Sequence, residues 1–191
     1  MSGAATTQRM SAAEYLEWER AQPDKHEFHL GEVFGMAGGS PRHNYLAIAV
    51  AGELRAAARG RGCVVLSSDQ RIAAMPGARY VYADAVVVCG GVQTEAAATD
   101  VLSNPTVVIE VLSTSTEAYD RGAKWEAYQR IPTLTDYLLV AQNQVRVEHY
   151  HRESDGAWRY QVWEAGTSAT VAEGLVVAID AVYAGAFELE D

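Results

Sequence analysis

Apolar residues recur at two spacings along this chain, and the change of spacing predicts where helices give way to strands. Leu46, Val50 and Leu54 are four residues apart, which is typical of one face of a helix and predicts a helix from His43 to about Arg59. Short aliphatic runs bounded by turn residues are typical of strands that are covered on both faces. Such strands are predicted at residues 63–67, 70–74, 79–88, 106–112 and 134–140.

Local signals predict further elements around this core. Ser11 and Glu14 form a capping-box pattern that opens a helix to about Ala21, and residues up to about Met10 are expected to be disordered. The remaining expectations are two short strands in 26–36 around Gly31, a polar connection at 90–105, a helix at 115–130, alternating strands at 144–151 and 158–163, an edge strand at 175–179 and a short helix at 181–187. The core elements therefore follow the order helix, strands, helix, strands, helix, strand, and the C-terminal hairpin either extends the sheet or forms a dimer surface.

Two acidic residues interrupt the most apolar predicted strands. Asp84 lies within VYADAVVV and Glu110 within TVVIEVL. An ionised carboxylate in a strand that is covered on both faces loses its water and must be neutralised, paired or bound to a cation. Because two such strands carry an acid, we interpret Asp84 and Glu110 as ligands of a metal ion.

The predicted helix at 115–130 supplies a basic partner. Lys124 follows Asp120 by four residues and precedes Tyr128 by four, so the three side chains share one helix face. Hard divalent cations take oxygen ligands, and an ammonium group can hold the attacking water or a phosphate. Asp84, Glu110 and Lys124 together favour metal-dependent phosphodiester hydrolysis as a reaction hypothesis.

Length and composition bound the class of protein. With 191 residues and 49% hydrophobic content, residues 11–191 are expected to form one domain with a sizeable core. The chain shows no apolar run of membrane-spanning length and no apolar signal core near Met1, so we expect a cytoplasmic protein with no membrane partner. Cys63 and Cys89 lack zinc-ligand spacing and are interpreted as buried thiols.

The net charge bears on the partner. A formal charge of -10 argues against a broad basic surface for nucleic acid, although acidic metal ligands contribute to that total. A local stripe of Arg55, Arg59 and Arg61 could still face phosphates. A homodimer is expected because cutting both strands of a duplex needs two sites.

Several of these residues also have simpler structural interpretations. Lys124 could form only a helix pair with Asp120, and Glu27 could pair with an arginine of a neighbouring strand instead of a metal. His43 fits a helix N-terminal or core histidine better than a proton carrier. His149 and His151 share one face of an alternating strand without a third ligand nearby in sequence, so we expect them on the solvated surface.

The chain resembles the Uma-type family of restriction-endonuclease-like proteins, a branch of the PD-(D/E)XK nuclease superfamily. The resemblance extends from about residue 10 to the C-terminus and depends on the order and spacing of several segments. These are MSAAEYL at 10–16, EFHLGE at 27–32, His43, YADAV at 82–86, NPTVVIEVLS at 104–113 and YDRGAKWEAY at 119–128.

The resemblance implies an α+β (α/β) fold with a restriction-endonuclease-like core, in which a mixed central sheet is flanked by helices and carries an extra C-terminal hairpin. Together with the acids and the lysine it favours a Mg²⁺ or Mn²⁺ dependent endonuclease, and we take nucleic acid, with DNA favoured over RNA, as its partner. The implied metal ligands are Asp84, Glu110, the backbone carbonyl of Val111 and, as an additional acid, Glu27. Lys124 would be the catalytic lysine of the superfamily. His43, Asp120 and Tyr128 would support these groups. A non-catalytic nuclease-like binding module with a vestigial or structural cation site is the alternative.

Three positions depart from the superfamily pattern. Ala83 stands where proline is usual, and His26 replaces the commoner aromatic residue before Glu27. Leu112 stands where a lysine usually follows the acid by two positions. Lys124 on the following helix restores that charge if its side chain points back toward Glu110.

Overall fold

The computed structural model of the protein describes residues 9–172 and 174–189. The capping box at Ser11 and Glu14 is present and opens the first helix. The helices are α1 (Ala12–Glu19), α2 (Pro41–Ala57), α3 (Glu117–Tyr119), α4 (Trp125–Tyr128) and α5 (Ile179–Tyr183), with a π-helical turn at Asp120–Lys124 and a 3₁₀ turn at Ala186–Glu188. Residues 1–8, where most of the expected disorder falls, lie outside the described residues, and the Met10 N–H donates to the Gly31 carbonyl.

The described residues contain fourteen strands. They are β1 (His26–His29), β2 (Glu32–Gly35), β3 (Cys63–Ser67), β4 (Arg71–Met75), β5 (Arg79–Tyr82), β6 (Ala85–Cys89), β7 (Thr94–Glu95), β8 (Ala98–Leu102), β9 (Val107–Leu112), β10 (Asp136–Ala141), β11 (Arg146–Arg152), β12 (Trp158–Glu164), β13 (Ser168–Val171) and β14 (Leu175–Ala178). Sheet 1 has the order β2-β1-β5-β4-β8-β7, and sheet 2 has the order β12-β11-β10-β9-β6-β3. Both sheets are mixed, since β4 is parallel to β8 and β9 is parallel to β10. The predicted α+β class is confirmed, with twelve of the strands divided between two large sheets and the other two, β13 and β14, in a small third sheet.

Sheet 2 is covered on both faces, which explains its aliphatic runs. One face packs Ile109 and Leu138 against Leu46 and Val50 of α2, together with α5 and the β13–β14 hairpin. The other face packs Val108, Leu139 and neighbouring residues against α4 and part of sheet 1. Every residue of β9 and β10 is buried, so a charged group in either strand must find its partners inside the protein.

The predicted single strand at 79–88 is wrong, because the chain leaves sheet 1 after Tyr82 and enters sheet 2 at Ala85. At this crossing the Asp84 N–H donates to the Ile109 carbonyl, and the Asp84 carboxylate accepts the Val111 N–H. Both strands are buried, so the hydropathy pattern runs through the crossing without a break. Asp84 therefore lies at the junction of the two sheets rather than within a strand.

Two other elements differ from prediction. The connection at 90–105 contains β7 and β8, which were missed because a polar pair, Thr99 and Asp100, interrupts the short apolar pattern of β8. The predicted helix at 115–130 is divided by the π-helical turn, where Gly122 has φ −110° and ψ −106°. Wide turns of this kind occur often at functional sites.

Cys63 and Cys89 are joined in a disulfide, so their interpretation as buried thiols is wrong. β3 and β6 are antiparallel neighbours, and their register places Cys63 directly opposite Cys89. The two residues are 26 positions apart, and their pairing depends on a strand register that local sequence does not encode.

The predicted hairpin extends sheet 2. β11 pairs with β10 on one side and with β12 on the other, both antiparallel. The predicted strand at 175–179 is β14, which pairs with β13 in a separate two-stranded sheet. Within the described part of the chain, no helix is long and apolar enough to cross a membrane.

Candidate functional site

Lys124 is the centre of a buried cluster of carboxylates between the two sheets. Its Nζ lies 2.8 Å from Glu110 Oε1, 3.4 Å from Glu27 Oε1 and 3.7 Å from Asp120 Oδ1. It also donates to the Tyr82 carbonyl at 2.8 Å. The Lys124 side chain is 5% exposed, so these contacts replace nearly all of its hydration.

Strand β9 carries Glu110, and the helical segment at 117–128 carries its side-chain partners. Glu110 projects from the middle of β9 toward α4, where the Tyr128 hydroxyl donates to Oε1 at 2.9 Å. The Lys124 ammonium binds the same oxygen, so the carboxylate is fixed from two sides. The predicted face of Asp120, Lys124 and Tyr128 is thus directed at Glu110 despite the π-helical turn. The Lys124–Asp120 pair exists, but Glu110 is the nearer partner.

Asp84 is held from two directions. His43 Nε2 lies 3.0 Å from Asp84 Oδ1, and the Val111 N–H donates to Oδ2 at 2.7 Å. Ser40 caps α2 by accepting the His43 N–H, which places His43 in the first turn of the helix. A side chain at Gly39 would come within 2.5 Å of the His43 ring, so the close approach of this loop requires glycine.

Sheet 1 and α3 supply residues that the sequence did not single out. The Tyr119 hydroxyl donates to Glu27 Oε2 at 2.7 Å, and the Tyr82 N–H donates to Oε1 at 3.3 Å. Arg79 donates to the Tyr119 hydroxyl and to the Ala123 carbonyl of the π-helical turn. The charged partner of Glu27 is accordingly Lys124, not an arginine. Arg79 and Tyr119 carry no periodic signal that distinguishes them from ordinary strand and helix residues.

The buried cluster around Lys124 contains three carboxylates and one ammonium group, so its acidic groups outnumber its basic one. Burial raises the pKa of Glu110 well above its ordinary value, and the neighbouring Asp120 and Asp84 add to this effect against the opposing charge of Lys124. Burial likewise raises the pKa of Asp120. For Lys124, burial alone would lower the pKa, but Glu110, Glu27 and Asp120 outweigh it and raise the pKa. The cluster therefore keeps its one ammonium charged, while the Glu110 and Asp120 carboxyl groups bind protons more readily than free ones.

Asp84 behaves differently from Glu110. Burial alone would raise its pKa, but the hydrogen bond and charge of His43 and the Val111 N–H outweigh burial and lower it. The pKa of Asp84 is therefore lowered, whereas that of Glu110 is raised. His43 Nδ1 is buried and lacks a hydrogen-bond partner among the described residues.

The cluster opens into a cavity of about 880 Å³. Glu27, Asp84, Glu110, Val111 and Lys124 line its floor, and three polar loops at 37–40, 113–116 and 142–144 line it toward solvent. The stripe of Arg55, Arg59 and Arg61 does not line this cavity. Arg55 follows His43 by twelve residues on α2, which separates them by about 18 Å along the helix axis. These arginines cannot hold a phosphate at Asp84.

His149 and His151 form a second cluster, which corrects their expected place on the solvated surface. His149 is 1% exposed. Its Nε2 lies 2.7 Å from Asp136 Oδ1, and His151 Nδ1 lies 2.8 Å from the same oxygen. Asp136 is on β10, thirteen residues before His149, so only the pairing of β10 with β11 reveals this third partner. The three residues have the composition of a metal site.

The contacts of His149 favour a structural role for this cluster. Trp163 Nε1, which is only a donor, points at His149 Nδ1 at 3.2 Å. His149 Nδ1 must therefore accept, and the ring proton lies on Nε2 and is donated to Asp136. A metal ion bound at Nε2 would place the proton on Nδ1, facing the Trp163 N–H. Asp136 Oδ2 additionally accepts from the Thr135 hydroxyl and the Ala172 N–H, so its carboxylate joins β10, β11 and the turn that follows β13.

Replacing the buried Asp136 carboxylate should lower the stability of the protein. Asp136→Asn is expected to lower the free energy of unfolding by about 1–3 kcal/mol at neutral pH, because an amide NH₂ cannot accept the bonds that Oδ1 or Oδ2 receives. Burial would raise the Asp136 pKa, but hydrogen bonds from His149, Thr135, His151 and Ala172 lower it below the ordinary value. Its stabilisation is therefore present above about pH 4 and is lost as the pH falls through the folded-state pKa.

Urea denaturation across the acid range measures both effects. The wild-type protein should lose stability more steeply below about pH 4 than Asp136→Asn. Asp69→Asn is the matched control, because Asp69 is 84% exposed and the change should stay within about 0.5 kcal/mol. Equal unfolding free energies for wild type and Asp136→Asn would contradict the structural role of this carboxylate.

Comparison with known proteins places this geometry in a family. A family model described as "Uma2: Putative restriction endonuclease" matches residues 12–181. The chain belongs to the Uma2 family. The family expectation drawn from the sequence motifs is confirmed, and Asp84, Glu110 and Lys124 all lie within the part of the chain that matches.

Two Uma2-like relatives come from Synechocystis sp. The first, described as "Uncharacterized protein slr1290", is 35% identical over 185 residues, which is 96% of this chain and 96% of the relative. The second, described as "Uncharacterized protein sll1609", is 35% identical over 154 residues, or 81% of this chain and 87% of the relative. In both cases the similarity extends over most of the length of the two aligned chains.

A solved structure shares the fold. The crystal structure of an Anabaena variabilis protein, described as "a putative nuclease belonging to DUF820", superposes with a TM-score of 0.73 over 93% of this chain and 99% of that chain. The sequence identity is 13%, so this likeness concerns the fold alone. It supports the arrangement of mixed sheets and flanking helices in the Uma2 chain described above.

Proposed function

We propose that this chain is a metal-dependent endonuclease that hydrolyses phosphodiester bonds in nucleic acid, with DNA as substrate and Mg²⁺ or Mn²⁺ as cofactor. One observation carries the proposal: Glu27, Glu110 and Asp120 share a single lysine at the floor of an open cavity that Asp84 also lines. Membership of a restriction-endonuclease-like family supports nucleic acid as the substrate class.

The donor set fits a hard divalent cation. The carboxylates of Asp84 and Glu110 and the Val111 carbonyl would hold it, with Glu27 in reach of the same region, and all are oxygen ligands of the kind that Mg²⁺ and Mn²⁺ prefer. The raised pKa of Glu110 supports this assignment, because a bound cation would offset the cost of burying the carboxylate charge. When bound, such an ion polarises a phosphodiester and lowers the pKa of the attacking water.

The remaining residues orient and charge the site. Lys124 keeps its proton and lies against Glu110, where its ammonium would stabilise the negative charge that develops on the phosphoryl oxygens. Tyr128 fixes the rotation of the Glu110 carboxylate, while His43 and the Val111 N–H each fix one oxygen of Asp84. Asp120 holds Lys124 from the helical side. Such supporting bonds set the orientation of ligands before a substrate arrives.

The assembly and location follow from the same proposal. Cutting both strands of a duplex requires two sites, which favours a homodimer. A cytoplasmic location, where the DNA substrate would lie, is part of the same proposal. A non-catalytic, nuclease-like binding module is the second candidate, and the net charge of -10 favours it because acidic surfaces repel DNA.

Calorimetric titration with Mn²⁺ and Mg²⁺ tests the metal site directly. The wild-type protein should bind with a saturable signal, and Glu110→Gln should weaken binding at least about tenfold, since it removes one charged ligand while keeping the side-chain shape. Glu117→Gln is the matched control, because Glu117 lines the same cavity but is exposed on α3. Equal Mn²⁺ affinity in wild type and Glu110→Gln would overturn the ligand assignment.

A further inference from the structure

Arg121 lies where an entering nucleic-acid strand would need a cation. Four side chains that line the cavity can carry positive charge, namely His43, Arg121, Lys124 and Arg146. Lys124 is engaged by three carboxylates, and His43 is engaged by Asp84. Arg146 also reaches Glu164 and Tyr160 on β12, whereas Glu148 is the one ion-pair partner of Arg121 among the described residues.

The register of sheet 2 locates this arginine relative to the catalytic floor. Leu139 of β10 is opposite Glu110 of β9 on one side and opposite Glu148 of β11 on the other. Glu110 and Glu148 therefore lie in one row across the sheet and point to the same face, about 10 Å apart at two strand spacings. Glu148 accepts from Arg121 at 2.9 Å, which holds the guanidinium on the same face as Lys124.

Arg121 and Arg146 both approach the Glu148 carboxylate, and a second acid, Glu164, pairs with Arg146. Glu148 also accepts from Arg146 Nε at 3.4 Å, so two guanidinium groups share one carboxylate. The Glu148 side chain is 11% exposed and that of Arg121 is 36% exposed, so the carboxylate is covered and the arginine faces solvent. A guanidinium group has five N–H donors, and the Arg121–Glu148 hydrogen bond uses the terminal Nη2.

We propose that Arg121, oriented by Glu148 and Arg146, binds a backbone phosphate of the nucleic-acid strand next to the phosphate that is cleaved. The proposal rests on the proposed nuclease function and adds the side chain that positions its substrate. Arginine suits this role because its planar fork can keep the Glu148 contact with one edge while another edge binds phosphate oxygens. Arg121 thereby provides the basic contact that the overall charge of the chain does not predict.

The test measures DNA affinity and its salt dependence in a background that does not cut. Arg121→Gln is introduced into the Asp84→Asn protein, and binding of a fluorescein-labelled DNA duplex is followed by anisotropy in Mg²⁺ at several salt concentrations. We expect about tenfold weaker binding and a slope of log K against log salt that is smaller by about 0.9, the value for one lost phosphate contact. Arg121→Lys should restore the slope but only part of the affinity.

Arg159→Gln is the matched control, because it removes the same charge from an exposed arginine on β12 that pairs with Glu153 and does not line the cavity. A merely structural Arg121–Glu148 link would lower the melting temperature and leave the salt slope unchanged, which would overturn the proposal. An affinity and slope equal to those of the Asp84→Asn parent would do the same.

The outcomes separate this proposal from the proposed function. If the wild-type protein cleaves DNA and Arg121→Gln binds as its parent does, only the phosphate contact is wrong. If Arg121→Gln shows the expected loss but the wild-type protein never cleaves DNA, the phosphate contact stands and the chain is a binding module. If no variant binds DNA at any salt concentration, both proposals fail.

Discussion

Asp84→Asn is expected to lower the rate of DNA cleavage by about a thousandfold, equivalent to about 4 kcal/mol of transition-state stabilisation. The substitution removes the charge but retains the hydrogen bonds. An asparagine oxygen can accept the Val111 N–H, as Asp84 Oδ2 does, and its NH₂ can donate to neutral His43 Nε2. The loss of cleavage would therefore report the missing carboxylate and not a damaged fold.

Cleavage of a supercoiled plasmid in Mg²⁺, together with a thermal melt of each variant, measures this effect. Asp69→Asn changes the same functional group at an exposed position far from the cavity and should cut like the wild type. Wild-type cleavage by Asp84→Asn would show that the carboxylate at the junction of the two sheets is not a ligand.

Lys124→Met should be the most destabilising single substitution in the site, at about 3–5 kcal/mol. Glu110, Glu27 and Asp120 would lose their shared counter-charge while remaining buried. The Tyr82 carbonyl would lose its donor as well. The same variant should not cleave DNA, but its low stability makes the unfolding free energy the more informative measurement.

A second substitution distinguishes charge imbalance from simple loss of packing. Lys124→Met combined with Glu110→Gln removes one carboxylate charge along with the ammonium, so we expect the double variant to regain about half of the lost stability or more. Urea denaturation of wild type, both single variants and the double variant completes the cycle. Strictly additive losses would mean that Lys124 and Glu110 do not stabilise each other.

The sequence predicted much of the fold because most elements satisfy local rules. The α2 helix follows from its four-residue repeat and its Ser40 cap, although the helix begins two residues before the predicted His43. The β11–β12 hairpin follows from alternation around Asp155 and Gly156. The division of 79–88 between two sheets was missed because residues on both sides of Asp84 are buried, and hydropathy records burial without recording which sheet covers a residue.

The residues of the candidate site could likewise be predicted from the sequence only in part. Asp84 and Glu110 are visible in sequence because a carboxylate inside an apolar run is rare, and Lys124 is visible because it shares a helix spacing with Asp120. The direction of the Lys124 side chain toward Glu110 could not be derived from the sequence. Gly122 interrupts regular helix geometry between Asp120 and Lys124, so helix spacing does not fix where Lys124 points. Tyr82 contributes a backbone carbonyl, which no residue type reveals.

By itself the sequence determined the class of fold, the family and the acids that lie in its core, because periodicity and buried charge are properties of neighbouring residues. The tertiary structure alone decided which partners those acids meet. Glu27 reaches Lys124 across 97 positions of the chain, and Asp136 meets His149 from an adjacent strand. Such contacts depend on strand order and register, which are set by the packing of the whole core and leave no local pattern.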